Sequence, residues 1–480
     1  MARQHQILPS MDNSAFYSVR KALPSRAERT EFGRALRVWL PHEELGQWDL
    51  NARRDDPIEL IKASHEGRLE ELIAIRVARM ISSPYGFLRG TAVVMASDVA
   101  HLPATGVQPI ICGDSHLGNF GFYGSPEGEL VMDLNDFDEA HPGGWEWDLR
   151  RLVAAIWVAG RENGHSEDDC YAAALACALA YRDELSGLAQ MPLLGRSFNR
   201  LDLDRLEASA TDADLRTRIH AAAKTARKRT SDRAAPRFTT TESDGRRMVT
   251  DPPLLTRPDD RTADAIAQGV DDYLPSLSPH WARVVAGHTL RDVAQKVVGV
   301  GSVGLRAWVV LLEGSNPADV LFLQLKQARR SVLARHIHGD NAWHDHQGQR
   351  VVEYQQALQT VSDPLLGWTT IDGLQYYVRQ FRNMKGTVPL VDITAQSLAD
   401  YAGIVGRLLA KGHARTAGTS MIAGYLGTQD GAAVALAEFA RRYADQTEAD
   451  HAALVAAVKR GEFPVDSDGG AMGSAFRPGG

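Results

Sequence analysis

The chain has 480 residues, 44% of them hydrophobic and 24% charged, with a formal net charge of -7. That length exceeds one compact core and predicts two or three packed units, while the acidic balance disfavours broad non-specific binding to nucleic acid. Three cysteines (Cys112, Cys170, Cys177) have neither metal-ligand nor disulfide spacing, and no run reads as a leader or membrane span, so the expectation is a cytoplasmic protein without nucleic-acid or membrane partners.

Residues 1–55 are polar and arginine-rich and read as an arm with short helices. From Ile58 to Met80 apolar residues recur at helical spacing (Leu69, Leu72, Ile73, Val77), which predicts a helix stopped at Ser83-Pro84. Another helical run follows Phe87-Leu88-Arg89-Gly90 as far as Met95. Pro109-Ile110-Ile111 reads as a short buried strand, and Leu130-Val131-Met132-Asp133-Leu134 as a second. Asp148 stands before the run from Leu149 to Trp157 and is expected to cap a helix there. Helical signals continue from 167 to 230, and a surface hairpin is expected around Ser243-Asp244-Gly245. Between about Val293 and Phe381 β-branched and alternating segments dominate, with one helix among them. After Pro389 the chain is helical again to about 463, and the Gly- and Ser-rich residues 464–480 read as a disordered tail.

Two groups of residues carry chemistry. In Cys112-Gly113-Asp114-Ser115-His116-Leu117-Gly118-Asn119, an Asp is followed five residues later by an Asn and then by Asp133 on the next strand. Phosphoryl transfer needs such a set, because a base must orient the acceptor hydroxyl while metal neutralises the phosphates. Asp114 is the expected base, with Asn119 and Asp133 as metal ligands and Asp136 and Asp138 competing for the place of Asp133. The second group begins with Gly299-Val300-Gly301-Ser302-Val303-Gly304, between two β-like runs, which suits a hairpin over nucleotide phosphates. Lys326 ends the following strand and is expected on the α/β phosphates, paired with Glu353 on the next helix. The backbone from Arg379 to Phe381 is expected to read adenine. The histidines His336, His338, His344 and His346 read as a polar connection rather than a metal site.

Together these parts make the two lobes of a kinase, but in reversed order. The expectation is an α+β, protein kinase-like fold, circularly permuted, with a large helical lobe over 56–290, a small β-lobe over 291–390 and returning helices over 391–463.

The run Gly113-Asp114-x-His116-x-Gly118-Asn119, followed by Met132-Asp133 and Trp147-Asp148-Leu149, resembles the catalytic segment of aminoglycoside and choline phosphotransferases. The resemblance implies that Asp114 is the base, that Asn119 and Asp133 bind metal, and that His116 and Asp148 support the catalytic loop. Over nearly its whole length the chain also resembles a bacterial family known as domain of unknown function 2252. The segments carrying this likeness are Ser83 to Gly90, the Asp114 loop, Asp133 to Glu139, Trp145 to Asp148, Gly299 to Gly304, Gln324 to Lys326 and Val378 to Gln380. The expected activity is ATP- and magnesium-dependent phosphoryl transfer to a hydroxyl, with a small-molecule acceptor favoured over a protein. Two alternatives stand beside it: an ATP-binding module that regulates a partner without transfer, and nucleotidyl transfer on the same fold.

Overall fold

Runs of helical period build the body of the protein around the helices Trp145–Glu162, Glu167–Gln190, Ala395–Ala414 and Gly431–Lys459. Leu152, Ile156, Tyr181, Leu185, Val405 and Phe439 meet in its core. Two cysteines serve close packing there, as small apolar residues do. A side chain at Gly406 would come within 3.2 Å of the Cys177 sulfur, and Cys170 lies against Gly160 in the same way. The computed structural model describes residues 22–464 except 54, 243–244, 298, 317–318 and 338–343, so the tail beyond 464 and His338 lie outside the described residues.

Several expected elements divide or shift. The run expected as one helix from Ile58 to Met80 is two, Pro57–Ser64 and Glu70–Ile81. Gly67, at φ +71°, turns the chain between them, a conformation that favours glycine. Residues 1–21 of the expected arm lie outside the described residues; in the rest, a capping box at Ser25 and Glu28 starts a short helix of the expected kind, Arg26–Ala35. That helix packs on Thr419–Leu426, with Gly33 against the Met421 backbone. The expected hairpin forms between Thr239–Glu242 and Gly245–Met248.

The late β segments form a six-stranded antiparallel sheet. Its order is Gly367–Ile371, Leu374–Gln380, Val320–Gln327, Ala307–Glu313, Thr289–Lys296 and Leu255–Thr256. Alternation along the strands separates two faces. Val310, Leu312, Leu323 and Leu325 face Ile266, Val270 and Tyr273 of the helix Asp260–Tyr273. Val309, Leu311, Val320 and Phe322 share the other core with Ala234 and Ala235. The sheet unit therefore draws on the chain from about 231 rather than from 291. A helix's period shows that it has an apolar face but not which core that face covers, so these helices read as a continuation of the body. On the Phe322 face the strand turns polar at Gln324 and Lys326, and there the sheet meets the body.

Candidate functional site

The loop that follows the short strand Ile110–Ile111 is tied down from several sides. Gly113, at φ +77°, sits against the Glu139 carbonyl, where a side chain would collide. The Asp148 carboxylate accepts the N–H groups of Cys112 at 2.8 Å and Gly113 at 2.9 Å. The same carboxylate meets His413 Nε2 at 3.2 Å, and His413 Nδ1 lies 2.8 Å from the Tyr181 hydroxyl. All three side chains are buried. The helix begins at Trp145 with Gly144 at its N-cap, so Asp148 stands in its first turn and anchors the loop instead of capping the helix.

Asp114 Oδ1 accepts from Arg151 Nε at 2.6 Å, while Oδ2 lies 3.9 Å from His116 Nε2. Burial pushes the Asp114 carboxyl up; the charges of Arg151 and Arg89 oppose this without cancelling it. Asn119 binds the loop to the next segment. Its Nδ2 donates to the carbonyls of Asp114 at 3.2 Å and Asp136 at 2.9 Å, and its Oδ1 accepts from Asp136 N at 2.5 Å. The N–H of Asn135 also reaches that oxygen, so both of its lone pairs are taken within the loop.

Asp136 and Asp138 face the sheet. Lys326 forms an ion pair with Asp138 and stands 3.7 Å from Asp136. Ser302 Oγ donates to Asp138 Oδ2 at 3.0 Å, and the Tyr377 hydroxyl donates to Oδ1 at 3.0 Å. Burial pushes Asp138 up, but Lys326 outweighs it and holds the carboxyl below its usual range. Asp136 moves the other way, raised by burial and by the Asp138 charge. Arg350 secures this segment by donating to the carbonyls of Asp138 at 2.7 Å and Ala140 at 2.5 Å.

The glycine-rich turn joins the strands Thr289–Lys296 and Ala307–Glu313, with Gly299 and Gly304 at positive φ. It rests on the body: Leu69 N donates to Gly304 O at 2.8 Å, Arg68 to Val303 O at 2.5 Å, and Arg79 to Gly299 O. A side chain at Gly301 would lie 3.5 Å from the Arg89 carbonyl. Turn, lysine strand and loop thus converge on Asp138.

Three expected residues do not join this cluster. Asp133 lies in its strand with Oδ1 on Leu134 N at 2.9 Å and Oδ2 on Thr360 N at 3.2 Å, and the charges acting on it most strongly are Arg415 and Lys411. Glu353 is half exposed and meets His344 Nε2 at 2.7 Å and Gln349 at 2.8 Å instead of Lys326. The N–H groups expected to read adenine are committed: Phe381 donates to Phe322 O at 2.9 Å and Gln380 to Asp363 at 2.7 Å. The Phe381 ring stacks edge-on with Phe238, flanked by Lys296 and Arg382. Arg379 does join, with Nε 3.1 Å from Gln324 Oε1 and its guanidinium over the Tyr377 ring. The histidines disperse, His336 beside His101 and His346 capping the helix Gln347–Leu358.

Sequence reasoning missed Arg151, Arg350, Tyr377, His413 and Tyr181, because nothing in their spacing relates them to Asp114 or Lys326. Tyr377 stands opposite Lys326 in the antiparallel pairing of the two strands, a register that neither strand's own pattern specifies. Among the described residues no group of three or more His, Cys, Asp or Glu side chains is arranged to hold a metal ion. A magnesium ion bound with a nucleotide takes only one or two carboxylates beside phosphate oxygens. Asp136, with its side chain 51% exposed, and Asp138 fit that smaller demand. The open recess lined by Asp183, Glu184, Asn199 and Arg407 shares none of these residues.

Asp133 carries a consequence for stability. Burial pushes its carboxyl from 3.8 up to about 6. The unfolded chain releases that proton near pH 4. Between about pH 4 and 6 the folded state therefore binds more protons, and stability falls as pH rises. Replacing Asp133 by Asn is expected to remove about 2 kcal/mol of this decline between pH 4 and pH 7. Urea unfolding at the two pH values checks it, and equal pH dependence in both proteins would exclude Asp133 as the source.

Helical body and late antiparallel sheet thus define a mixed α+β protein whose two units meet over one charged cluster, with Lys326 buried and Asp136 half exposed. The family described as uncharacterized protein conserved in bacteria, domain of unknown function 2252, matches residues 68–457, and the chain belongs to it. No curated protein and no solved structure matches the chain. Among the described residues no helix is long and apolar enough to cross a membrane.

Proposed function

We propose that this protein is an ATP- and magnesium-dependent phosphotransferase acting on a hydroxyl group, with a small molecule as acceptor. The observation that carries the reading is the meeting of the two motif groups at Asp138, which Lys326 and Ser302 reach from 188 and 164 residues away. A lysine, a glycine-rich turn and paired carboxylates beside a buried Asp on a rigid loop form the set that phosphoryl transfer requires. In the proposed reaction the acceptor oxygen bonds to the γ-phosphorus as the bond to the β–γ bridging oxygen breaks. Asp114 takes the hydroxyl proton, and ADP leaves with the bridging electron pair. Bound magnesium would draw on Asp136 and Asp138 and would neutralise phosphate charge.

The companion proposal is a kinase-like two-lobed fold with the lobes in reversed chain order. Its support is the antiparallel sheet with a glycine-rich turn before the lysine strand, and the segment after that sheet. That segment crosses to the body through paired backbone bonds between Gly386 and Phe122, at 2.6 and 3.1 Å. The catalytic and nucleotide groups then lie on opposite sides of one junction.

Calorimetric titration of ATP with magnesium tests the reading. Asp136→Asn is expected to weaken magnesium-dependent binding by at least about tenfold, whereas Asp133→Asn is expected to bind as the wild type does. No binding to the wild-type chain at millimolar ATP would overturn the proposal. Finding AMP transferred to the acceptor, in place of ADP released, would move the reading to nucleotidyl transfer.

A further inference from the structure

On the sheet face turned to the body, strand alternation brings Lys326, Tyr377, Arg379 and Phe381 together. The Tyr377 ring carries two cations, with Lys326 Nζ 5.8 Å and Arg379 Cζ 5.6 Å from its centroid. Lys326 is paired with Asp138, but Arg379 donates only to the neutral Gln324. A third cation, Lys385, comes from the segment that crosses to the body. Its backbone is fixed, since Met384 N donates to Arg229 O at 2.8 Å and Arg229 donates to Lys385 O at 2.9 Å. Its ammonium forms no hydrogen bond or ion pair and keeps accessible surface. Burial pushes that ammonium well below its usual range, and Arg379 and Lys326 push it the same way; Asp363 and Asp136 oppose this without cancelling it. The rim is open to solvent beside Lys326, where the Asp136 side chain is 51% exposed.

Like charges gathered without acids to pair them cost stability, so packing gives no reason for Arg379 and Lys385 to share this rim. With magnesium on Asp136 and Asp138, the cations left over suit the several charges of a phosphate chain. The same strands offer a base little. A purine needs an apolar slot with a free polar edge. Gln324 is buried and capped by Arg379, and Phe322 is buried beneath Ala234 and Ala235 of the helix Ser231–Phe238. The Phe381 N–H is taken by Phe322 O, and its ring is flanked by Lys296 at 5.8 Å and Arg382 at 4.9 Å.

We propose that the phosphoryl donor is selected by its phosphate chain and not by its base, with Arg379 and Lys385 joining Lys326 on that chain, so that the donor class is any triphosphate, nucleoside or inorganic. The inference rests on the phosphotransferase reading for the word donor, but binding of the chain can be measured without it. With inorganic tripolyphosphate, the acceptor oxygen bonds to a terminal phosphorus as the bond to the bridging oxygen breaks. Asp114 takes the hydroxyl proton, and diphosphate leaves with the bridging electron pair.

The experiment titrates ATP, CTP and inorganic tripolyphosphate, each with excess magnesium, into the full chain by calorimetry. It is repeated on Lys385→Met and on Arg283→Gln, which removes an exposed cation from the helix Pro279–Ala286 behind the opposite sheet face. The three ligands are expected to bind the wild type with affinities within about threefold of one another. Lys385→Met is expected to weaken all three by at least about tenfold, and Arg283→Gln to leave them unchanged. Since Lys385 has no partner to lose, its variant is expected to melt no lower than the wild type, which separates binding from folding. ATP binding without tripolyphosphate binding, or CTP bound at least tenfold more weakly than ATP, overturns this inference and leaves the phosphotransferase reading standing. Unchanged binding by Lys385→Met, or an equal loss in Arg283→Gln, overturns the assignment of the chain to this rim. Tripolyphosphate binding without ATP binding overturns the ATP reading alone, and no binding of any ligand overturns both.

Discussion

Replacing Asp114 by Asn is expected to lower turnover by about two to four orders of magnitude, the range typical of a lost general base, while ATP binding persists. The geometry makes this substitution specific. Arg151 holds Oδ1, and an Asn carbonyl can accept that bond, so the loop keeps its shape and only the proton acceptor at Oδ2 is lost. Because burial raises the Asp114 carboxyl despite Arg151, it is a stronger base than a surface carboxylate. Its protonation then starts at higher pH than usual, so wild-type activity is expected to decline on acidification before surface carboxylates titrate. ADP release, with the phosphoryl group passing to water or to an acceptor, measures both effects. Unchanged release by the Asn variant would remove Asp114 from the chemistry.

Removing Lys326 is expected to have two separable consequences. Lys326→Ala leaves Asp138 buried beside Asp136 with only the Ser302 and Tyr377 hydroxyls as donors. Breaking a buried pair on one side costs about 3 kcal/mol or more, since the remaining charge loses its compensation. The same variant is expected to lose ATP use, because the cation proposed for the phosphates is gone. Replacing both partners, Lys326→Met with Asp138→Asn, removes the stranded charge and is expected to recover most of the stability without recovering ATP use. Denaturant unfolding and ATP titration of both variants check this. Normal ATP affinity in the double variant would exclude Lys326 as a phosphate ligand, whatever happens to stability.

The relation of Lys326 to Asp138 and not to Glu353 also shows where sequence reading stops. On the helix Gln347–Leu358, Arg350 is buried and Glu353 exposed, so the face turned to the loop carries the arginine. Both residues are compatible with the same apolar periodicity, because either can border a helix's buried stripe. Asp133 stands apart from the Lys326 cluster for a related reason. Asp133 lies within a regular strand while Asp136 lies in the irregular turn after it, and distance along the chain from Asn119 says nothing about which way that turn bends. Asn119 itself decides the matter, by taking the Asp136 N–H and carbonyl and drawing that residue to the loop.

The sequence by itself determined the mixed α+β organisation, the strands Leu130–Leu134 and Val320–Gln327, the glycine-rich turn between two strands, and the loop bearing Asp114. These are local properties, set by periods of 2.0 and 3.6 and by glycine's access to positive φ. Only the tertiary structure decided which carboxylate meets Lys326, that Asp148 with His413 and Tyr181 anchors the loop, and that the helix Asp260–Tyr273 covers the sheet. Each of those contacts joins segments far apart in the chain. Periodicity specifies which face of a segment is buried, but the partner on that face is chosen by the docking of whole elements against one another.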